Sequence, residues 1–169
     1  MAFRMCHACV PICAQMMNGL SGVLGKAIEQ AAGKRFEDCA LLADRLYSDR
    51  FTLARHTRQA TDFARNPPGR LAGVTPPDFT AKDDTTRAAA CDRVEKSMAF
   101  AKSLTAAQIQ RTEDNDISWT GGGTPRTMEG RAFLLHFCRP SLYFHTTTAY
   151  NILRHRGIKI GKRDALGTF

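Results

Sequence analysis

Apolar residues return at steps of three and four along most of this chain, the period of a helix with one buried side. Val10, Cys13, Met17, Leu20, Leu24, Ala27 and Ala31 trace such a stripe over about seven turns, ending near Gly33. Pro11 fits that helix only near its start, where a missing N–H costs little. Asp38 to Tyr47 reads as a short helical or irregular connector. A second helix carries Leu53, His56, Ala60 and Phe63 on one face. Asn66-Pro67-Pro68 is expected to interrupt it, because the residue before a proline avoids helical geometry. Arg70 to Gly73 resumes the path, and Val74-Thr-Pro-Pro-Asp is a loop. A third helix is predicted from about Lys82 to Ser103, with Cys91, Val94, Met98 and Ala101 as its stripe and Thr80 or Asp83 as its cap.

The stretch Ile117 to Thr127 has a different rhythm. Alternation around Gly121-Gly122-Gly123 predicts a small hairpin or an ordered Ω-like loop. The fourth helix starts near Met128 to Gly130 and stops at Gly157. Pro140 lies inside it, frees the carbonyl of His136 and predicts a kink. Arg154, His155 and Arg156 suit the negative end of that helix. Four long amphipathic segments without a long strand predict an all-α chain. It is expected to form a four-helix bundle with a small hairpin or ordered loop before the last helix, residues 1–169 making one domain.

Composition narrows the possible partners. The net charge is +8, but Arg45, Arg50, Arg55, Arg58, Arg65 and Arg70 are interleaved with Asp44, Asp49 and Asp62. Diffuse charge of this kind predicts a solvated basic surface and no sequence-specific nucleic-acid binding. No apolar run is expected to reach the ~18 residues of a membrane span, so no membrane partner is expected either. The start of the chain reads as mature protein and not as a secretory signal. Six cysteines in a chain of 169 residues, set among core-type neighbours, predict reduced thiols and a cytoplasmic protein. Cys6-His7-Ala8-Cys9 has a ligand spacing but no second pair to complete a zinc site. The three glycines lack the Lys-Ser/Thr of a phosphate loop.

Pro140-Ser-Leu-Tyr-Phe-His145-Thr-Thr-Thr-Ala-Tyr150-Asn-Ile-Leu-Arg154-His-Arg-Gly157, with Gly161-Lys-Arg-Asp164-Ala-Leu-Gly167 after it, is a specific signature. It resembles a branch of the DinB/YfiT-like superfamily that carries a domain-of-unknown-function label. Phe51, Leu53, Arg55, Ala60, Thr61, Asp62 and Phe63 are similar to the second helix of that branch, and Val10-Pro11 and Leu20-Ser21 to its first. The resemblance implies a DinB-like bundle. In better-known members it also implies a metal held by one histidine of the second helix and two of the last, four residues apart. His56 and His145 match two of these positions. Ser141 stands where the third histidine is expected, and Thr146 follows His145 where an arginine is usual.

His56 and His145 are therefore the candidate metal ligands, for Zn²⁺ or Ni²⁺, with Cys13 or Cys91 as a further donor. The ordinary alternative is a buried imidazole pair in a cleft with the hydroxyls of Ser141 and Thr148, and no cofactor. His136 lies nine residues before His145 and points to the other side of a regular helix. Two functions fit these residues. One is an enzyme acting on a small molecule in the bundle cleft, with the histidines as ligands or acid–base groups. The other is a non-catalytic, metal-free homodimeric binding or stress-associated module. Phe133, Phe137, Tyr143, Phe144 and Tyr150 exceed what one helical stripe needs, which predicts a homodimer.

Overall fold

The structure is a computed structural model and describes residues 4–32, 38–79 and 82–168. It is mostly helical, with one two-stranded hairpin. α1 spans Met5–Ala32, α2 Asp38–Ala43, α3 Leu53–Leu71, α4 Arg87–Ser103 and α5 Ala106–Ile109. β1 (Asp116–Gly121) and β2 (Thr124–Glu129) follow. The last long helical path is α6 (Gly130–Ala132), a π-helical stretch (Phe133–Cys138) and α7 (Arg139–His155), and α8 (Lys162–Leu166) closes the chain. α1, α3, α4 and α7 pack around a shared core of Met17, Leu20, Leu24, Leu53, Val94 and Leu153. A second cluster, with Met5, Cys9, Ile109, Ile117, Phe133 and Cys138, joins the start of α1 to the hairpin and the π stretch.

α1 begins before its first stripe residue, so Pro11 is interior and not at the helix start as expected. Pro11 and His7 are both exposed, so the carbonyl that the proline leaves unbonded lies on the solvent side. Met5–Gln30, with a mean hydropathy of 1.2, is long and apolar enough by composition to cross a bilayer. That corrects the expectation from run length. Its apolar side is the core of this fold: Met17, Leu20, Leu24 and Ala27 are at most 1% exposed.

Thr52 caps α3 by accepting a hydrogen bond from the Arg55 amide at 3.2 Å. The expected break at Pro67-Pro68 does not occur, and α3 runs on to Leu71. Both prolines are buried, and the bond from the Ala72 amide to the Pro68 carbonyl (2.9 Å) keeps the helix going beyond them. α4 starts at Arg87, with Thr86 as its cap, five residues later than predicted. Of the two caps expected, Asp83 faces Arg58 at 3.3 Å instead, and Thr80 lies outside the described residues.

The hairpin turns on Gly122 and Gly123, at φ +59° and +81°, the geometry of a tight primed turn that glycine adopts without strain. Gly130 then allows a close crossing, since a Cβ there would stand 2.0 Å from the Thr112 carbonyl. The π stretch ends two residues before Pro140, and its last bond runs from the Arg139 amide to the Leu134 carbonyl, five residues back. Widening the helix there relieves the turn into which the proline ring would press. α7 ends as predicted. Gly157 (φ +77°) donates to Arg154 O at 3.0 Å and Ile158 to Leu153 O at 3.1 Å, a Schellman closure.

The tail after Gly157 folds over its own helices. Ile158 and Ile160 are buried, Lys26 binds Asp164 at 2.6 Å, and Gln30 exchanges two bonds with the Lys159 backbone. Gly19 makes room for α8, since a Cβ on it would meet the Ala165 carbonyl at 2.1 Å.

Candidate functional site

His56 sits one turn into α3 and His145 in the second turn of α7. Their helices pack side by side, and the Nδ1 atoms meet at 3.0 Å. Both rings are nearly enclosed, at 3% and 8% exposed. A contact this short between two nitrogens is a hydrogen bond in which one neutral ring donates and the other accepts. Burial pushes the His56 pKa down. Burial, then the neighbouring charge positions of His56 and Arg55, takes His145 from 6.5 to about 4. The pair is neutral at pH 7.

Three phenylalanines surround it. Phe51 and Phe63 lie nearly parallel to the His145 ring, at 9° and 16°, with centroids 6.5 and 5.8 Å away. Phe144 stands edge-on to His145 at 5.2 Å and also approaches His56 at 5.9 Å. Phe51 belongs to a loop that is closed by the bond from the Leu53 amide to the Asp44 carbonyl (2.8 Å) and pinned by the ion pair of Asp44 with Arg156. Arg55 lies over the Phe51 ring at 5.2 Å. Arg58 faces Asp83 as an ion pair, its Nε out of line for a hydrogen bond.

The other sequence candidates do not converge on the pair. Ser141 donates to the Phe137 carbonyl at 2.7 Å and Thr148 to the Phe144 carbonyl at 2.7 Å, so both hydroxyls bond their own helix. Cys13 lies in the core beside Cys9, and Cys91 is half-buried on α4 with its thiol pKa raised by burial. Cys6, Cys9, Cys13, Cys91 and Cys138 carry free thiols. His136 is exposed, as expected. Among the described residues no group of three or more His, Cys, Asp or Glu side chains gathers. A metal needs at least three protein donors for a stable open site. Here two nitrogens are bonded to each other, and the third position holds a serine turned away, so the donor set does not fit the three-histidine arrangement. As an acid–base group His145 is also poorly tuned, because a base with a pKa near 4 is weak at neutral pH.

The sequence anticipated part of one feature, the exposure of Tyr143 and Phe144, and missed a second. All the exposed large apolar residues described fall on two short stretches, Leu46, Tyr47 and Phe51 on one and Tyr143 and Phe144 on the other. Phe51 and Phe144 bring the stretches together over the histidines. Of the aromatics expected to be in excess, Phe133 is buried in the core, and Phe137 and Tyr150 are half-buried against it. The second feature is a cleft of about 260 Å³ between α3, the hairpin and the π stretch. Phe63 divides it from the histidine pair, stacking on His145 and meeting Phe137 edge-on at 5.5 Å. Gln59, Asp62, Asn66 and Arg70, at steps of three and four, were the signal that could have revealed it.

The family described as Domain of unknown function (DUF1993) matches residues 5–166. The structure is similar to the crystal structure of a DinB family member protein from Shewanella denitrificans, with a TM-score of 0.88 and 31% sequence identity. The similarity covers 97% of this chain and 92% of that one. A comparison with curated proteins finds no match.

Proposed function

We propose that this chain, which belongs to the DUF1993 family of the DinB-like proteins, is a metal-independent, non-catalytic binding module: a four-helix bundle that pairs as a homodimer. The observation that carries this reading is the meeting of two exposed aromatic rings, Phe51 and Phe144, over the histidine pair, with Leu46, Tyr47 and Tyr143 exposed beside them in the sequence. Exposed aromatic rings brought together from two separate stretches are the kind of surface a partner covers. The patch is rich in aromatics and has neutral imidazoles beneath it, as interface cores do. A two-fold axis lets the same aromatics meet themselves, so one patch serves both subunits.

The metal-dependent alternative has one observation in its favour: two neutral imidazole nitrogens already face each other. A Zn²⁺ or Ni²⁺ ion would have to displace the hydrogen bond between them and find further ligands. Sedimentation velocity at micromolar concentration, with elemental analysis of untagged protein, separates the two readings. The binding module predicts twice the 18.7 kDa of the chain, no stoichiometric metal, and dissociation to monomer in Phe144→Glu with unchanged circular dichroism. A clean monomer rejects the dimer. Stoichiometric transition metal that is lost in His145→Ala installs the metal-dependent reading instead.

A further inference from the structure

The cleft beyond Phe63 is chemically unlike the histidine patch. One wall is the polar face of α3, where Gln59, Asp62, Asn66 and Arg70 recur every turn. The opposite side is aromatic: Trp119 stacks on Phe137 at 4.8 Å and 29° and meets Phe133 at 4.9 Å. Its volume of about 260 Å³ equals roughly nine water molecules at ~30 Å³ each. The space suits one or two fused rings with a short substituent.

One buried hydrogen-bonding group at the cleft lacks a partner, and two others have capacity to spare. The Trp119 indole N–H is buried with none, beside the gap left by Gly121, where a Cβ would come within 3.1 Å of it. Asp62 binds Arg65 through Oδ1 at 2.7 Å, which leaves its second oxygen to accept from a ligand. Burial outweighs the nearby arginines and raises the Asp62 pKa, so its carboxylate gains when further N–H groups reach it. Arg70 is exposed and lies eight residues along the helix, about 12 Å from Asp62 at 1.5 Å per residue. It spends one N–H on the Ser118 carbonyl at 3.2 Å and has others to offer.

We propose that this cleft binds a planar nitrogen heterocycle, packed against the aromatic wall of Trp119, Phe133 and Phe137, its N–H edge on Asp62 and an anionic substituent directed to Arg70. The site is distinct from the aromatic patch and does not rest on the dimer reading. Two sources share this chemistry: a guanine-type nucleotide, whose ring carries adjacent N–H donors, and a pterin with a carboxylate tail. Asn66 and Gln59 amides then read the remaining ring edge, because a side-chain amide both donates and accepts.

Trp119 is the single tryptophan of the chain, so its emission reports on this cleft alone. Guanosine monophosphate, inosine monophosphate and pterin-6-carboxylate are titrated against the full-length protein, with calorimetry alongside because pterins absorb light. Saturable change in Trp119 emission with one of the two N–H-rich ligands is expected, and inosine monophosphate, which lacks the exocyclic amine, should bind about tenfold more weakly or worse. Asp62→Asn should weaken the winning ligand by about tenfold or more. Arg70→Gln, at an exposed position, should weaken the anionic ligand but not the free guanine or pterin ring, and Phe144→Glu should change neither. The guanine and pterin arms identify the source. No saturable binding of either up to about 1 mM overturns the proposal. So does equal binding by wild type, Asp62→Asn and Arg70→Gln.

Discussion

Lowering the pH should destabilise this protein, largely through one identifiable ring. His145 protonates at 6.5 in an unfolded chain and at about 4 in the fold, because burial and the positions of His56 and Arg55 oppose its charge. The folded state therefore binds fewer protons than the unfolded state between those values, and stability falls as pH drops from 6.5 towards 4. At about 1.4 kcal/mol per pH unit the full difference is roughly 3 kcal/mol. The protein and the solvent near the cleft respond to the charge of the ring, which reduces this to about 2 kcal/mol. That is a large fraction of the 5–15 kcal/mol typical of a domain. Urea unfolding measured from pH 7.5 to 4.5 supplies the test, with His145→Gln as the comparison. Glutamine keeps a hydrogen bond to His56 but cannot take up a proton. The wild type should lose about 2 kcal/mol more than the variant over that range, and the His145 imidazole signals in a proton NMR titration should move with a midpoint near 4. Parallel pH profiles for the two proteins, or a midpoint at 6.5, would refute the assignment of a neutral, hydrogen-bonded pair.

Two glycines offer further tests of close approach. Gly130→Ala drives a Cβ to 2.0 Å from the Thr112 carbonyl, and a loss of about 3 kcal/mol or more is expected in a thermal melt. Gly19→Ala places a Cβ 2.1 Å from the Ala165 carbonyl. It should release α8 and make the chain after Gly157 protease-sensitive while the far-ultraviolet dichroism of the other helices persists. Thr52→Ala removes the cap of the helix that carries His56 and should cost about 1 kcal/mol.

The stripes along α1, α3, α4 and α7 were legible because each is periodic over several turns. They also placed His56 and His145 on core faces, where the structure brings them together. What failed was local. Asn66-Pro67-Pro68 reads as a break, but α3 runs through both prolines, which are buried. The π stretch leaves no mark in the apolar pattern, because one extra residue per turn only rotates the face. Phe51, which lies against the pair, belongs to no stripe, and the loop that delivers it is held by Asp44 and Arg156 from distant parts of the chain. The path of the tail is not written in its own residues either, since it depends on the groove that Gly19 opens in α1.

The packing of α8 on α1 also sets an order of assembly. Lys26 and Asp164 are 138 residues apart, and closing such a loop in an unfolded chain costs about 4 kcal/mol. An exposed ion pair returns at most about 1 kcal/mol, so the tail cannot dock by itself. Once α7 lies against α1, Ile158 is already seated, and only a short link separates it from its groove. During synthesis, α1 leaves the ribosome early, long before the segment that covers part of it exists. The most apolar helix of the protein thus waits with one strip bare until translation has passed Asp164. In the cell, that interval is when chaperones have their clearest target.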